Sequence, residues 1–192
     1  AGLSPPVGPA EADELIALVR RFAAGELCAR LGRARDAARE QRFAFTLASD
    51  PGAPLLVGVI DVLARESAGR ALVVDYKSDR LAGAAPAEVV QSAYVAQRLI
   101  YALAALRSGA HEVEVVHCFL QEPEQPVSET FERADTTALG ERLQELAQGV
   151  RSGHYPVSDS PCAALCGGCP ARGGLCSWPL ELTRRRSPDT LF

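Results

Sequence analysis

The stretch from Gly58 to Lys77 constrains this chain most. Leu55-Leu56-Val57 and Val59-Ile60 run into Asp61, and Ala71-Leu72-Val73-Val74 runs into Asp75-Tyr76-Lys77, with Gly69 as a turn signal between them. Short apolar runs rich in β-branched residues and bounded by glycine read as paired strands. The spacing predicts two strands that end at Asp61 and Asp75. Side-chain alternation puts Asp75 and Lys77 on one face, so the amine reaches whatever the carboxylate binds. Two carboxylates can hold a divalent cation, and a nearby lysine can orient water or offset phosphate charge, the set that phosphodiester hydrolysis needs. Taken alone, an Asp-x-Lys at a strand end is more commonly a solvated surface pair.

The order of the surrounding pieces shifts that balance. Downstream, Tyr94-Val-Ala-Gln97-Arg-Leu-Ile-Tyr101-Ala-Leu reads as a helix, with Gln97 and Tyr101 one turn apart on one face. Gly-x-Ile-Asp, then Asp-Tyr-Lys, then Gln-x-x-x-Tyr resembles the RecB-like branch of the PD-(D/E)xK nucleases, the domains fused to bacterial recombination helicases of the AddA, RecB and AdnAB kind. A leading helix over Asp13 to Leu31, Arg39-Glu40-x-x-Phe43 before the first strand, and a strand at Val113 to Leu120 fall where that family places them. The resemblance covers about Glu14 to Pro179.

It implies that Asp61 and Asp75 are ligands of Mg²⁺ or Mn²⁺, that Lys77 is the catalytic lysine, and that Gln97 and Tyr101 line the active site and contact the DNA backbone. Glu40 matches a recurrent acidic position, with a structural salt bridge as an equal reading. The family's upstream histidine ligand has no counterpart, because His111, His117 and His154 all come too late. His117 lies in an apolar run and reads as a satisfied strand residue.

A second signal is Cys162-x3-Cys166-x2-Cys169-x6-Cys176, four thiols interleaved with Gly167-Gly168, Pro170 and Gly173-Gly174. Glycines let a backbone turn tightly while thiolates converge on one centre. A structural zinc site accepts four cysteines, and disulfides are a third option. No signal peptide is evident, and Cys28 and Cys118 sit in helix-like and strand-like segments, which argues against disulfides. The resemblance favours a [4Fe–4S] cluster over zinc. Cys28 is the alternative fourth ligand to Cys162, but its apolar spacing suits an ordinary buried cysteine.

With 192 residues, 47% of them hydrophobic, the chain can bury one good core. No apolar run approaches the roughly 18 residues of a membrane span, and a bacterial cytoplasmic location is expected. The formal net charge of −4 is low for a self-sufficient DNA binder. Arg20-Arg21, Arg30, Arg33, Arg35, Arg39 and Arg42 are expected to crowd the N-terminal helix, and Arg184-Arg185-Arg186 stands near the end. They either track phosphates or form a solvated face. A low basic load also suits a domain whose DNA is delivered by fused or associated superfamily 1 helicase domains.

The expected architecture is α/β, a central mixed sheet flanked by helices in a restriction-endonuclease-like core with a Cys-rich metal-binding tail. Strands end at Leu47, Asp61, Asp75, Leu120 and Glu132. Helices span Asp13 to Leu31, Ala87 to Arg107 and Thr136 to Ser152, the last with a core stripe of Leu139, Leu143, Leu146 and Val150. Residues 1–12 read as a linker, 13–157 as the core, 158–180 as the tail and 181–192 as a flexible end. Three functions compete: a metal-dependent DNA nuclease of exonuclease type acting in end resection, recombination and break repair; a non-catalytic DNA-binding or helicase-docking module; and a redox-responsive iron–sulfur regulator.

Overall fold

The computed structural model describes residues 8–48, 53–67, 69–154 and 156–185. These form two compact units, one within Ala1–Leu81 and Ala85–Leu146, the other within Ala82–Ala84 and Ala147–Phe192.

The first unit is built on a five-stranded mixed sheet in sequence order: β1 (Asp36–Thr46), β2 (Leu55–Ser67), β3 (Arg70–Lys77), β4 (Glu112–Phe119) and β5 (Val127–Glu132). Neighbours are antiparallel except β3 and β4, which run parallel. A parallel pair needs a crossover, supplied here by a helical run over Pro86–Arg107. That run comprises α3 (Pro86–Val89), a π-helical turn over Val90–Tyr94, and α4 (Val95–Arg107). Its 22 residues are long and apolar enough to cross a membrane by composition, contrary to the sequence expectation. Its residues Tyr101 to Leu106 are buried, and α4 packs on the sheet.

Strand alternation sorts the core into two faces. Val62, Ala64, Leu72, Val74, Val116 and Cys118 pack with Leu27 of the leading helices. Ala71, Val73, Asp75 and Lys77 occupy the other face of β3, and β3–β4 register sets Val113, Val115, His117 and Phe119 beside them. On this face Val73, Val113, Val115, His117 and Phe119 are fully enclosed.

Several expectations change. The single leading helix is two, α1 (Pro9–Ala23) and α2 (Glu26–Gly32), because the backbone at Gly25 leaves helical geometry at φ −85°, ψ 160°. Arg39, Glu40 and Phe43 lie inside β1 rather than before it. Asp61 does not end its strand; β2 continues to Ser67, and burial goes on alternating through Ile60, Val62 and Ala64. In α5 (Thr136–Arg151), Leu139 and Leu143 are buried, but Leu146 and Val150 are 46% and 67% exposed. The stripe is core over its first turns only.

The second unit carries α6 (Ala163–Cys166) and a 3-10 turn over Leu182–Arg184. The Ala163 amide donates to the Arg185 carbonyl (2.8 Å), and Arg172 Nε donates to the buried Thr183 hydroxyl (3.0 Å). Much of the expected linker, the end of the chain and Arg186 lie outside the described residues.

Candidate active site

Apart from a register shift between Arg65 and Ser67, the β1–β2–β3 ladders open at one further place among the described residues. The β2–β3 ladder stops at Val62–Val74, one step short of setting Asp61 opposite Asp75. The β1–β2 ladder keeps its register through Arg39–Val62 and Gln41–Ile60 but omits the pair between them, Glu40 and Asp61. Glu40 has φ 50°, a left-handed conformation uncommon outside glycine and a mark of a locally constrained backbone. With the ladder open, the Tyr76 amide donates to Asp61 Oδ2 at 2.9 Å. The carboxylate takes the place of a strand partner and is held at the opening.

Beside it, four side chains form a closed circuit. Lys77 Nζ lies 2.7 Å from Asp75 Oδ2 and donates to Gln97 Oε1 at 2.7 Å. Gln97 Nε2 donates to the Tyr101 hydroxyl at 2.9 Å, and that hydroxyl lies 3.3 Å from Asp75 Oδ1. An ammonium only donates, so it selects the Gln97 orientation and leaves the amide NH₂ for Tyr101. Tyr101 has one proton for two acceptors, Asp75 Oδ1 and the closer Val59 carbonyl at 3.0 Å. Asp75 is 3% and Lys77 9% exposed, so the pair sits largely out of water. The Lys77 contact with Oδ2 is an ion pair without hydrogen-bond alignment, and this buried oxygen has no other donor among the described residues.

Burial pushes the Asp75 carboxyl above its ordinary range; Lys77 pulls it back only in part. Burial and then the Asp75 charge push the Tyr101 hydroxyl up to about 12, so it stays protonated. Gly58, the glycine of Gly-Val-Ile-Asp, gives this circuit its wall. A Cβ there would meet Phe43 Cζ at 2.5 Å, and the Phe43 ring packs edge-on against Tyr101 (centroids 6.1 Å, 86°).

All five residues singled out in the core thus lie in one neighbourhood: four in the circuit and Asp61 at the ladder opening. The sequence reading missed Tyr94. Its ring lies 3.8 Å from Lys77 Nζ and stacks on His117 (5.7 Å, 27°). Its position three residues before Gln97, on the same helix face, was the available signal. A second missed signal is compositional. Lys77 is the sole lysine of the chain, the other nineteen of 20 basic residues being arginine. A generic basic position here is filled by arginine, so this one calls for a compact ammonium rather than a planar guanidinium.

Other expectations change. His117 is a strand residue, but neither ring nitrogen has a hydrogen-bond partner among the described residues; burial, then Lys77 and Arg98, push it down to about 4. Cys28 is half-buried and lines a cavity of about 570 Å³ with Phe22, Arg39, Glu40, Asp61 and Tyr76. Glu40 has no ion pair among those described, whereas Arg21 pairs with Glu124, Arg30 with Glu66 and Glu114, and Arg33 with Glu26. Arg39 and Arg42 belong to β1, not to a helix.

In the second unit Cys162 is buried, Cys166 and Cys176 half-buried, and Cys169 exposed. Among the described residues, no three His, Cys, Asp or Glu side chains converge to hold a metal ion. The tail thiols therefore form no cage as they stand.

No curated protein matches the sequence. Eleven chains of solved structures match the structure of this chain. One is the crystal structure of SSO0001, at 16% identity and TM-score 0.35, over 72% of this chain and 61% of that one. Another is a candidate exonuclease from Eubacterium rectale, at 10% identity and TM-score 0.43, over 81% of this chain and 59% of that one. This chain thus spans about three fifths of the length of each. The sequence pattern of the PD-(D/E)XK nuclease superfamily matches residues 4–176, and the chain belongs to that superfamily.

Proposed function

We propose that the chain is a metal-dependent DNA nuclease whose site is Asp61, Asp75, Lys77, Gln97 and Tyr101. The observation that carries the reading is the buried Asp75–Lys77–Gln97–Tyr101 circuit beside the Asp61 opening. Burying an ammonium and a carboxylate is costly for stability, and such pairs are retained where chemistry uses them.

Asp61 and Asp75 fit a hard cation of the Mg²⁺ or Mn²⁺ kind, which is commonly held by one or two carboxylates with water and substrate phosphate completing the shell. The buried Asp75 Oδ2, with no aligned donor, is the open acceptor such an ion requires. When bound, the ion polarises the phosphate and lowers the pKa of a bound water. Lys77 places positive charge where the phosphate oxygens gain negative charge. Gln97 orients Lys77 through Oε1. Tyr101, held protonated, anchors Gln97 and Asp75.

The test is cleavage of end-labelled single- and double-stranded oligonucleotides by the 192-residue chain with Mg²⁺ or Mn²⁺. Cleavage that needs the ion and disappears in Asp75→Asn and Lys77→Met supports the reading. Equal cleavage by the variants refutes it.

The proposal extends to the finer context. Three N-terminal arginines are engaged in ion pairs, and the net charge is −4, which favours DNA delivered by a fused or associated helicase in a bacterial repair or recombination enzyme. Exonuclease action belongs to the same proposal. The soft donor set of Cys162, Cys166, Cys169 and Cys176 suits a [4Fe–4S] cluster or zinc, but the arrangement described does not fit one, and no step is assigned to it. Iron, sulfide and zinc analysis of anaerobically purified protein decides whether that metal exists.

A further inference from the structure

Lys77 has three ammonium protons and three neighbours: Asp75 Oδ2, Gln97 Oε1, and the ring face of Tyr94 at 3.8 Å. The first is an ion pair, the second a hydrogen bond, the third a cation–π contact. In the nuclease reading above, on which this inference rests, Asp75 turns its charge to a divalent cation. Lys77 then loses its anionic partner and gains a like charge nearby. A four-carbon stem with several rotatable bonds has no reason of its own to stay.

We propose that Tyr94 is a positioning residue for Lys77, its ring holding the ammonium beside Gln97 once Asp75 engages the cation. The ring is fixed for that task. It stacks on His117 and approaches Phe119 (6.5 Å, 59°), and these are the β4 residues in register with Asp75 and Lys77. The strand beside the reacting pair therefore sets the ring over it. Tyr94 also ends the π-helical turn, where the backbone leaves helical geometry at φ −117°, ψ 7°. A π turn carries one extra residue at a cost to regular hydrogen bonding and is frequent at functional sites. Lys77, as the only lysine, gives the turn one target.

The single lysine makes the test direct. Isotopically labelled lysine incorporated into the full chain gives one set of side-chain signals, and protons over a ring face are shifted upfield. The Lys77 Cε protons are expected upfield of free lysine without Mg²⁺ and to remain so when Mg²⁺ saturates the protein. Signals at free-lysine positions in either state overturn the proposal, and neither measurement needs a variant. Tyr94→Phe keeps the ring and is expected to keep both shift and activity. Tyr94→Leu is expected to lose the shift and about 10-fold in kcat, with little change in KM. Loss of the shift with unchanged kcat overturns the positioning role while leaving the nuclease reading intact. Full activity in Lys77→Met sinks the nuclease reading instead, and the wild-type shift still stands.

Discussion

The backbone amide of Tyr76 donates to Asp61 Oδ2 at 2.9 Å, so a side chain on β2 occupies the place where a backbone carbonyl would continue the ladder. Charge and structure can be separated at this residue. In Asp61→Asn the amide oxygen still accepts from Tyr76, so stability should fall by less than about 1 kcal/mol. Asp61→Ala strands a partly buried amide and should cost about 1–3 kcal/mol. Both should lose about 100-fold or more in ion-dependent cleavage. Denaturant titration alongside oligonucleotide cleavage checks this; an active Asp61→Asn would mean that the negative charge is not needed.

In the proposed nuclease, Asp75 and Lys77 trade stability for chemistry. Because burial raises the Asp75 carboxyl above its ordinary value near 3.8, the folded state disfavours its ionised form. Its contribution to stability is fully present below that value and is lost as pH rises through the raised one. Replacing both charges removes the burden without stranding either. The Asp75→Asn/Lys77→Met double variant should be inactive yet more stable at pH 7 by about 1–4 kcal/mol. Lys77→Met alone should be less stable than the double variant, since it leaves a buried carboxylate unpaired. Mg²⁺ should raise the Tm of the wild type and not of the double variant. A double variant that melts below the wild type contradicts this account.

What could be read in advance was local and periodic. Asp75 and Lys77 share a face because strands alternate, and Gln97 meets Tyr101 because helices return every turn. The Gly69 turn, at φ 85°, is a one-residue signal and sits between β2 and β3 as expected. The ladder opening at Glu40 and Asp61 had no such mark, because a non-glycine residue at φ 50° is imposed by its neighbours in space. The π turn adds one residue to a helix without altering its composition, so Tyr94 carried no mark beyond its spacing from Gln97. Periodicity also says which residues share a stripe but not where the covering layer stops, hence the exposed Leu146.

Gly58 links a motif glycine to the site through packing. Gly58→Ala would push a Cβ to 2.5 Å from Phe43 Cζ, and Phe43 supports Tyr101. The expected cost is about 1–3 kcal/mol from overpacking, with reduced cleavage as Tyr101 shifts. Phe43→Leu makes room, so the double variant should lose less than the sum of the two single losses. Strict additivity in thermal or denaturant unfolding would show that the ring moves aside freely.

His117 gives the protein an acid-sensitive point behind the site. It is fully buried, neither nitrogen has a hydrogen-bond partner among the described residues, and it shares its surroundings with Tyr94, Lys77, Arg98 and, in register on β3, Asp75. Arg98 is itself paired with Glu129 at 3.0 Å, so little anionic charge is left to welcome a protonated imidazole. The ring is pushed from an ordinary 6.5 down to about 4, and the sign follows: its contribution is present above 6.5 and lost as pH falls through about 4. Roughly 3 kcal/mol is at stake over that interval. Asp75 acts in the opposite direction at acid pH, so the wild-type curve alone mixes the two. Comparison with His117→Phe separates them. That variant keeps an aromatic ring for Tyr94 to stack on and removes two unpaired nitrogens, so it should be at least as stable at pH 7. Its advantage should grow as pH drops from 6.5 towards 4. Parallel stability curves for the two proteins over that range would mean that His117 is not held neutral, and the electrostatic picture of the face behind Lys77 would have to be redrawn.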